Sequence, residues 1–462
     1  MTNVWKPVLG SSDEPLYLAV VRALAQDIET GVLSPEDRLP THRELADSLG
    51  VAIGTITRAY SIGEQRGLIY GDGRRGTFVG ELRRRAAALT ALTDTKPAVI
   101  DLSANYPSPS EDPDLSSAMR RLARHPDVQQ LLRYPSPQSP RPHREAGVRW
   151  LERLDLTVEP DDIIITAGAQ HALMVIMSTI ARPGDVVVTE EYTYPGLKAI
   201  GDLLGLQVVG MGCDDDGPRP DVLDEVCRKH RPCAFYTVPT LHNPTNITMP
   251  IERKRDLSAI ARRYRLPVIE DEIHRALVPE AAPTFTELIP DLGIMVASVS
   301  KVIAGGLRVA FVVAPPRFRQ SMLDTLHAIT LVVSPIPVEI LARWINDGTA
   351  AATVERRRTQ ARRNHALAAT ALDGHRFRAA PTSHFVWVPL PDPWTNAAFT
   401  AEAYRRGVAI APSEVFAVDT AAAGSAVRIC LSAADNRELL TTALETVGAI
   451  LNSTPRRDST TI

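Results

Sequence analysis

"SVSKVIAGGLRVAFV", Ser298–Val312, sets one lysine between a serine-containing approach and a Gly-Gly-Leu-Arg turn, directly after the apolar run Ile294-Met295-Val296-Ala297. A lysine on a solvated face needs no such neighbours. At the end of a buried strand its amine becomes a nucleophile once the surroundings lower its pKa. Upstream, other β-branched apolar runs alternate with helical stretches: "DIIITAGAQHAL" (162–173), "DVVVTEEYTYPG" (185–196), "CAFYTVPTLHNPT" (233–245) and "LPVIEDEIHRAL" (266–277). This alternation predicts an α/β fold around a buried, largely parallel sheet, with ligands at the C-terminal ends of the strands.

The residues that carry chemistry fall at those ends. Gly168-Ala169-Gln170 is a small-residue turn entering a helix, where backbone N–H groups hold phosphate. Asn243-Pro244-Thr245, Asp271 and Lys301 each follow a strand, so one pocket gathers them. A phosphate site, a carboxylate and a lysine together suit pyridoxal 5'-phosphate. The lysine takes its aldehyde as a Schiff base, the carboxylate keeps the pyridine nitrogen protonated, and Ser298 and Arg308 take the phosphate. Each residue alone has a plainer reading: Asn243 as a turn residue before proline, Asp271 as a helix cap, Arg428 as a surface charge.

Before residue 80 the texture differs. Tyr17, Val21, Leu24 and Ile28 recur at helical spacing, with Gly31 placed to end that helix. Thr41 and Glu44 form a capping box for a second helix, and Gly50 turns into a third, where Ile56, Ala59, Tyr60 and Gly63 share a face. "GLIYGDGRRGTFVG" (67–80) then reads as a hairpin wing. From Arg38 to Arg85 nine arginines (38, 43, 58, 66, 74, 75, 83, 84, 85) stand against five acids (44, 47, 64, 72, 81), a net +4 in a chain of net charge -3. A local basic surface is what contact with DNA phosphates requires; a small helical interaction domain with solvated arginines is the alternative.

With 462 residues, 44% hydrophobic and 23% charged, the chain is long enough for two or three globular domains. No export signal or membrane-length apolar run is apparent, so a cytoplasmic protein without membrane association is expected. Cys213, Cys227, Cys233 and Cys430 lack the spacing of a metal site or a disulfide framework, and no metal is expected.

Residues 15–80 resemble the winged helix-turn-helix of GntR-type bacterial regulators, through Pro15-Leu16-Tyr17, Arg38-Leu39-Pro40, Arg43-Glu44-Leu45-Ala46, Leu49-Gly50-Val51, Ala59-Tyr60 and Gly76-Thr77-Phe78-Val79. The resemblance implies DNA contacts from Arg43, from Thr55, Thr57 and Arg58 on the recognition helix, and from Arg74 and Arg75 on the wing. Ala52 and Ile53 stand where such proteins carry Ser or Thr followed by Arg, which removes an N-cap and a candidate reading arginine.

Residues 98–452 resemble the fold-type I aminotransferases, and the two parts together resemble the MocR subfamily of GntR regulators. The spacings agree, with 271 − 243 = 28 and 301 − 271 = 30 residues between asparagine, aspartate and lysine. That likeness implies an internal aldimine at Lys301, Asp271 on the pyridine nitrogen, Asn243 on the phenolic oxygen and Tyr194 stacked on the ring. Ala169, Gln170, Ser298 and Arg308 would bind phosphate, with Tyr134 reaching it from a partner subunit, and Arg428 would grip an effector carboxylate. Ile273 and His274 replace the tyrosine usual after the aspartate, so either His274 substitutes as donor or the contact is lost; Asn246, a mild change, Gly305 and Ser139 are further departures, which bear on turnover more than on cofactor binding.

The expected organisation is a winged helix-turn-helix domain (12–80), a linker (81–97), an aminotransferase-like domain (98–452) whose small C-terminal α+β subdomain starts at about 335, and a disordered tail (453–462). The expected function is a pyridoxal-phosphate-dependent regulator. A homodimer binds double-stranded operator DNA and senses an amino acid or amine through an external aldimine at Lys301. A working aminotransferase with an accessory DNA-binding module is the alternative, and a scaffold that has lost its cofactor is a third. The effector and the operator have no readable code.

Overall fold

The computed structural model describes residues 5–7, 16–29, 32–33, 37–65, 68–72, 76–79, 99–434 and 436–455. The chain divides into two compact units, Met1–Ala91 and Leu92–Ile462. Gly31, Arg74, Arg75, the linker 81–97 and the tail residues 456–462 lie outside the described residues.

The first unit contains α1 (Leu16–Glu29), α2 (His42–Leu49), α3 (Ile53–Gln65) and the antiparallel pair β1 (Ile69–Asp72) and β2 (Gly76–Val79), with Ile69 opposite Val79. Its helices bury one face each: Val20, Val21 and Leu24 from α1, Leu45 and Ala46 from α2, and Ile56, Ala59 and Tyr60 from α3. Thr41 caps α2 reciprocally, its hydroxyl accepting from Glu44 N–H at 3.3 Å while Glu44 accepts from Thr41 N–H at 2.8 Å. Gly50 turns the chain between α2 and α3 at φ 67°, a conformation that favours a residue without Cβ.

The second unit is built on a seven-stranded sheet of β4 (Ile163–Thr166), β5 (Val186–Glu190), β6 (Gln207–Met211), β9 (Ala234–Thr237), β10 (Val268–Asp271), β11 (Gly293–Ser298) and β12 (Ala310–Val313), in the order β4-β12-β11-β10-β9-β5-β6. The short strands β3 (Ile100–Asp101), β7 (Cys213–Asp214) and β8 (Gly217–Pro218) lie outside it. Every neighbouring pair is parallel except those of β12, which runs antiparallel to both β4 and β11. The sheet is largely parallel, as expected, and β12 alone makes it mixed. Strands β4, β9, β10, β11 and β12 are buried along their whole length, which is why they read as unbroken apolar runs.

A smaller lobe holds β13 (Phe385–Pro389), β14 (Val408–Ala409), β15 (Ala411–Pro412) and β16 (Ala426–Cys430), with β3 paired to β14. Its core does not begin at about 335. The helix Pro335–Asn346 packs Val338, Leu341 and Trp344 into the core of the large sheet, and the change of core falls within the helix Thr349–Ala371, where Val354 belongs to the first core and Ala368 to the second. Leu102 joins the second core from far upstream. Ser453, placed in the tail by the sequence, accepts a hydrogen bond from the Trp394 indole at 2.9 Å. No helix among the described residues is long and apolar enough to cross a membrane.

Candidate functional site

Lys301 follows β11, is half-buried, and donates to the Asn105 carbonyl, with its Nζ 5.5 Å above the Tyr106 ring. Burial pushes its amine down to about 8; the neighbouring Arg428 and Arg308 push the same way, while Cys430 and Asp271 oppose them. Asp271 ends the neighbouring strand β10, where burial pushes its carboxyl up to about 7 against the lowering effect of the Tyr236 hydroxyl. That hydroxyl donates to Asp271 Oδ2 at 3.0 Å, whereas Oδ1 is buried without a partner. A buried acceptor left open in this way costs about 1–3 kcal/mol until something donates to it.

At the other end of the site, the helix Ala169–Ile180 starts at Gly168 with φ 85° and no side-chain cap, so its first N–H groups are available to an anion. A Cβ at Gly168 would sit 2.6 Å from Arg308 Nη2, which places that guanidinium against the turn. Arg308 Nη1 reaches Ser300 Oγ at 3.4 Å, and Ser298 Oγ donates to Ser300 Oγ at 3.2 Å. Helix start, two hydroxyls and a guanidinium converge at one turn, an arrangement whose chemistry suits an anion. Tyr194 stands at the start of the helix Pro195–Leu204 within electrostatic reach of Asp271 and Arg308, and burial pushes its phenol up to about 12.

Asn243 and Arg428 meet directly: Arg428 Nη1 donates to Asn243 Oδ1 at 2.8 Å, and Nη2 to the Ser103 carbonyl. Arg428 is 3% exposed, so it is no surface charge, and its Nε has no hydrogen-bond partner. His274 is buried beside Phe385, its Nε2 3.3 Å from Asn105 Nδ2 and its Nδ1 unpartnered; burial, His384 and Lys301 hold the ring well below its ordinary pKa. Asn246 takes φ 62° and donates to the Phe385 carbonyl at 2.7 Å, a contact a glycine lacks. Tyr134 is not gathered with the others. It is 82% exposed and makes no hydrogen bond among the described residues.

Five contributors escaped the sequence reading: Tyr236, Ser300, Ser103, Asn105 and His384, whose Nε2 lies 3.0 Å from the Lys301 carbonyl oxygen. Ser300 had a signal, as the second serine of "SVSK". Tyr236 had a weaker one, as the only residue with a hydroxyl-tipped ring in a wholly buried strand. Asn105 had none.

In the first unit Arg43 and Thr57 are exposed, and Thr55 is half-buried. Thr57 Oγ1 donates to the Ile53 carbonyl at 3.0 Å and lies 3.3 Å from His42 Nδ1. Arg58 lies 4.1 Å over the Tyr17 ring, a cation–π placement that orients its guanidinium. Ile53 is 48% exposed at the head of α3.

Fold and site together define a chain that joins a winged helix-turn-helix to a fold-type I, pyridoxal-phosphate-type scaffold. The family of bacterial regulatory proteins called gntR matches residues 16–79, and aminotransferase class I and II matches residues 97–447. The chain is 31% identical over 437 residues to the uncharacterized HTH-type transcriptional regulator YdeF of Bacillus subtilis, covering 94% of each. It is 29% identical to the vitamin B6 salvage pathway transcriptional repressor PtsJ of Salmonella typhimurium, over 92% of this chain and 96% of that one. Among solved structures, LysN, the α-aminoadipate aminotransferase of Thermus thermophilus complexed with N-(5'-phosphopyridoxyl)-L-leucine, aligns with TM-score 0.72 at 23% identity, over 80% of this chain and 96% of that one. The protein belongs to the GntR-family transcriptional regulators whose helix-turn-helix is fused to a class I and II aminotransferase domain, the MocR architecture.

Proposed function

We propose that this regulator binds pyridoxal 5'-phosphate through Lys301 and uses it to sense an amino acid or amine. The observation that carries the reading is the open Oδ1 of Asp271, a buried acceptor on the strand beside the lysine. When bound, the cofactor supplies an aldehyde for amine exchange and a pyridine nitrogen whose proton satisfies that oxygen. Ser298, Ser300, Arg308 and the N–H groups of Ala169 and Gln170 hold its phosphate. Tyr194 covers the ring, and Asn243 reaches its phenolic oxygen, with His274 as a second donor nearby. Arg428, already hydrogen-bonded to Asn243, offers its remaining donors to an effector carboxylate.

The organisation we propose is a DNA-binding domain over 12–80, a linker over 81–97 and a sensor domain over 98–452. The protein works as a cytoplasmic homodimer, in which Tyr134 reaches the phosphate of the other subunit. Arg43, Thr55, Thr57, Arg58, Arg74 and Arg75 contact operator DNA. Effector binding favours one arrangement of the sensor domain, and the attached DNA-binding domain transmits that shift. PtsJ, a repressor in vitamin B6 salvage, supports a regulatory reading over a purely metabolic one.

The test is an absorbance spectrum between about 300 and 500 nm, the range in which a lysine-bound pyridoxal absorbs, with Lys301→Ala alongside. A visible band present in the natural protein and absent from the variant is expected. No band after adding the cofactor would leave the sensor domain a scaffold.

A further inference from the structure

A second cavity, of ≈ 620 Å³, lies between the two lobes of the sensor domain. None of Lys301, Asp271, Asn243, Tyr194, Ser298, Arg308 or Arg428 lines it. It is tied to their site by the segment from Val238 to Met249, which presents Asn243 to Arg428 and His242 to this cavity, and by the run from Glu190 to Tyr194.

The charges of its walls are unevenly paired. Asp214 is bound to Arg253 at 2.9 Å, and Asp215 to Arg378. Glu190, 3% exposed, accepts from Thr189 and Thr237, and Glu191 follows it; among the described residues neither has an arginine or lysine as an ion-pair partner. In the other lobe Arg376 has no carboxylate partner among the described residues. His242 is 5% exposed, with Nδ1 2.8 Å from Thr245 Oγ1 and Nε2 buried without a hydrogen-bond partner, 3.9 Å from Glu190. Burial holds this ring below its ordinary pKa, so the imidazole does not neutralise Glu190 at neutral pH. Tyr192, Phe377 and Trp387 add aromatic faces to the lining, with Tyr192 and Trp387 rings 5.4 Å apart.

Glu190 and Glu191 are without an arginine or lysine among the described residues, Arg376 is without a carboxylate, and aromatic rings share the lining with them. We propose that this cavity binds a free α-amino acid with an aromatic or large apolar side chain. Its ammonium faces Glu190 and Glu191, with a hydrogen bond to His242 Nε2, its carboxylate faces Arg376, and its side chain lies on Tyr192, Phe377 and Trp387. A ligand there touches both lobes and the segment carrying Asn243, so it biases lobe closure without touching Lys301. The proposal needs no cofactor.

The experiment is isothermal titration of L-phenylalanine into the full-length Lys301→Ala protein, free of cofactor. Saturable binding at one site per chain is expected. Arg376→Ala and Glu191→Gln, both at exposed positions, each weaken it about tenfold, as loss of a charge-assisted contact does. Phenethylamine and 3-phenylpropionate, which lack one charge each, bind about tenfold more weakly for the same reason. The assignment is overturned by absence of saturable heat up to about 10 mM, a range in which even weak specific sites fill. It is equally overturned if both variants bind as the parent does, or if Arg428→Lys abolishes binding, which would put the ligand in the Lys301 site. Because no cofactor is present, failure here leaves the Lys301 proposal standing, and failure of the absorbance test leaves this one standing.

Discussion

The two carboxylate oxygens of Asp271 are in different circumstances, one held by Tyr236 and the other open. The tyrosine hydroxyl opposes the upward push of burial on the aspartate, and an ionised Asp271 is what a protonated ring nitrogen needs. Tyr236→Phe therefore weakens pyridoxal 5'-phosphate binding about thirtyfold, one hydrogen bond to a charged group at about 2 kcal/mol. Asp271→Asn weakens it about a hundredfold, as truncating a buried charge pair does. Absorbance titration reads both, and unchanged affinity in the phenylalanine variant would remove Tyr236 from the site. Lys301 makes a separate prediction in the cofactor-free protein. Its folded pKa of about 8 lies below the ordinary 10.5, so folding disfavours the charged form, and the penalty is full below pH 8 and gone above 10.5. Lys301→Met should raise Tm at pH 7, with the gain shrinking as pH climbs from 8 towards 10.5. A gain independent of pH would mean that packing, not charge, sets it.

At the scale of elements, Gly168 is where strand, helix and guanidinium converge. Its φ of 85° disfavours a side chain, and a Cβ there would displace Arg308. Gly168→Ala should cost at least about tenfold in cofactor affinity by disturbing the phosphate cradle, with far-UV circular dichroism unchanged; normal affinity would mean that Arg308 does not hold the phosphate. In the first unit, Thr41→Ala removes the capping box of α2 and should cost about 1 kcal/mol in thermal denaturation. These turns were legible because caps and glycines have residue-type signatures. The antiparallel direction of β12 was not, since a fully buried strand reads as the same apolar run in either direction. Nor was the late start of the smaller lobe, because an apolar helix face such as that of Pro335–Asn346 does not say which core it joins.

Over the whole molecule, the site residues that sequence supplied are those whose side chains do chemistry, while those it missed act mostly through backbone or across long separations. Asn105 offers a carbonyl to Lys301 from 196 residues away, and Ser103 offers one to Arg428 from 325 away. A carbonyl has no residue identity to read. The same long-range closure ties the start of the second unit to its smaller lobe, because Leu102 and β3 are built into that lobe's core and sheet. If an amine bound at Lys301 changes operator affinity by some factor, the operator must change amine affinity by that same factor, typically about 5–150 for coupled sites. Fluorescence anisotropy of labelled operator with and without a saturating amine gives one number, and absorbance titration of the amine with and without operator gives the other. Equality is expected in the natural protein. In Lys301→Ala, operator affinity should persist while its response to the amine disappears. A response that survived the substitution would move the sensing event away from the lysine.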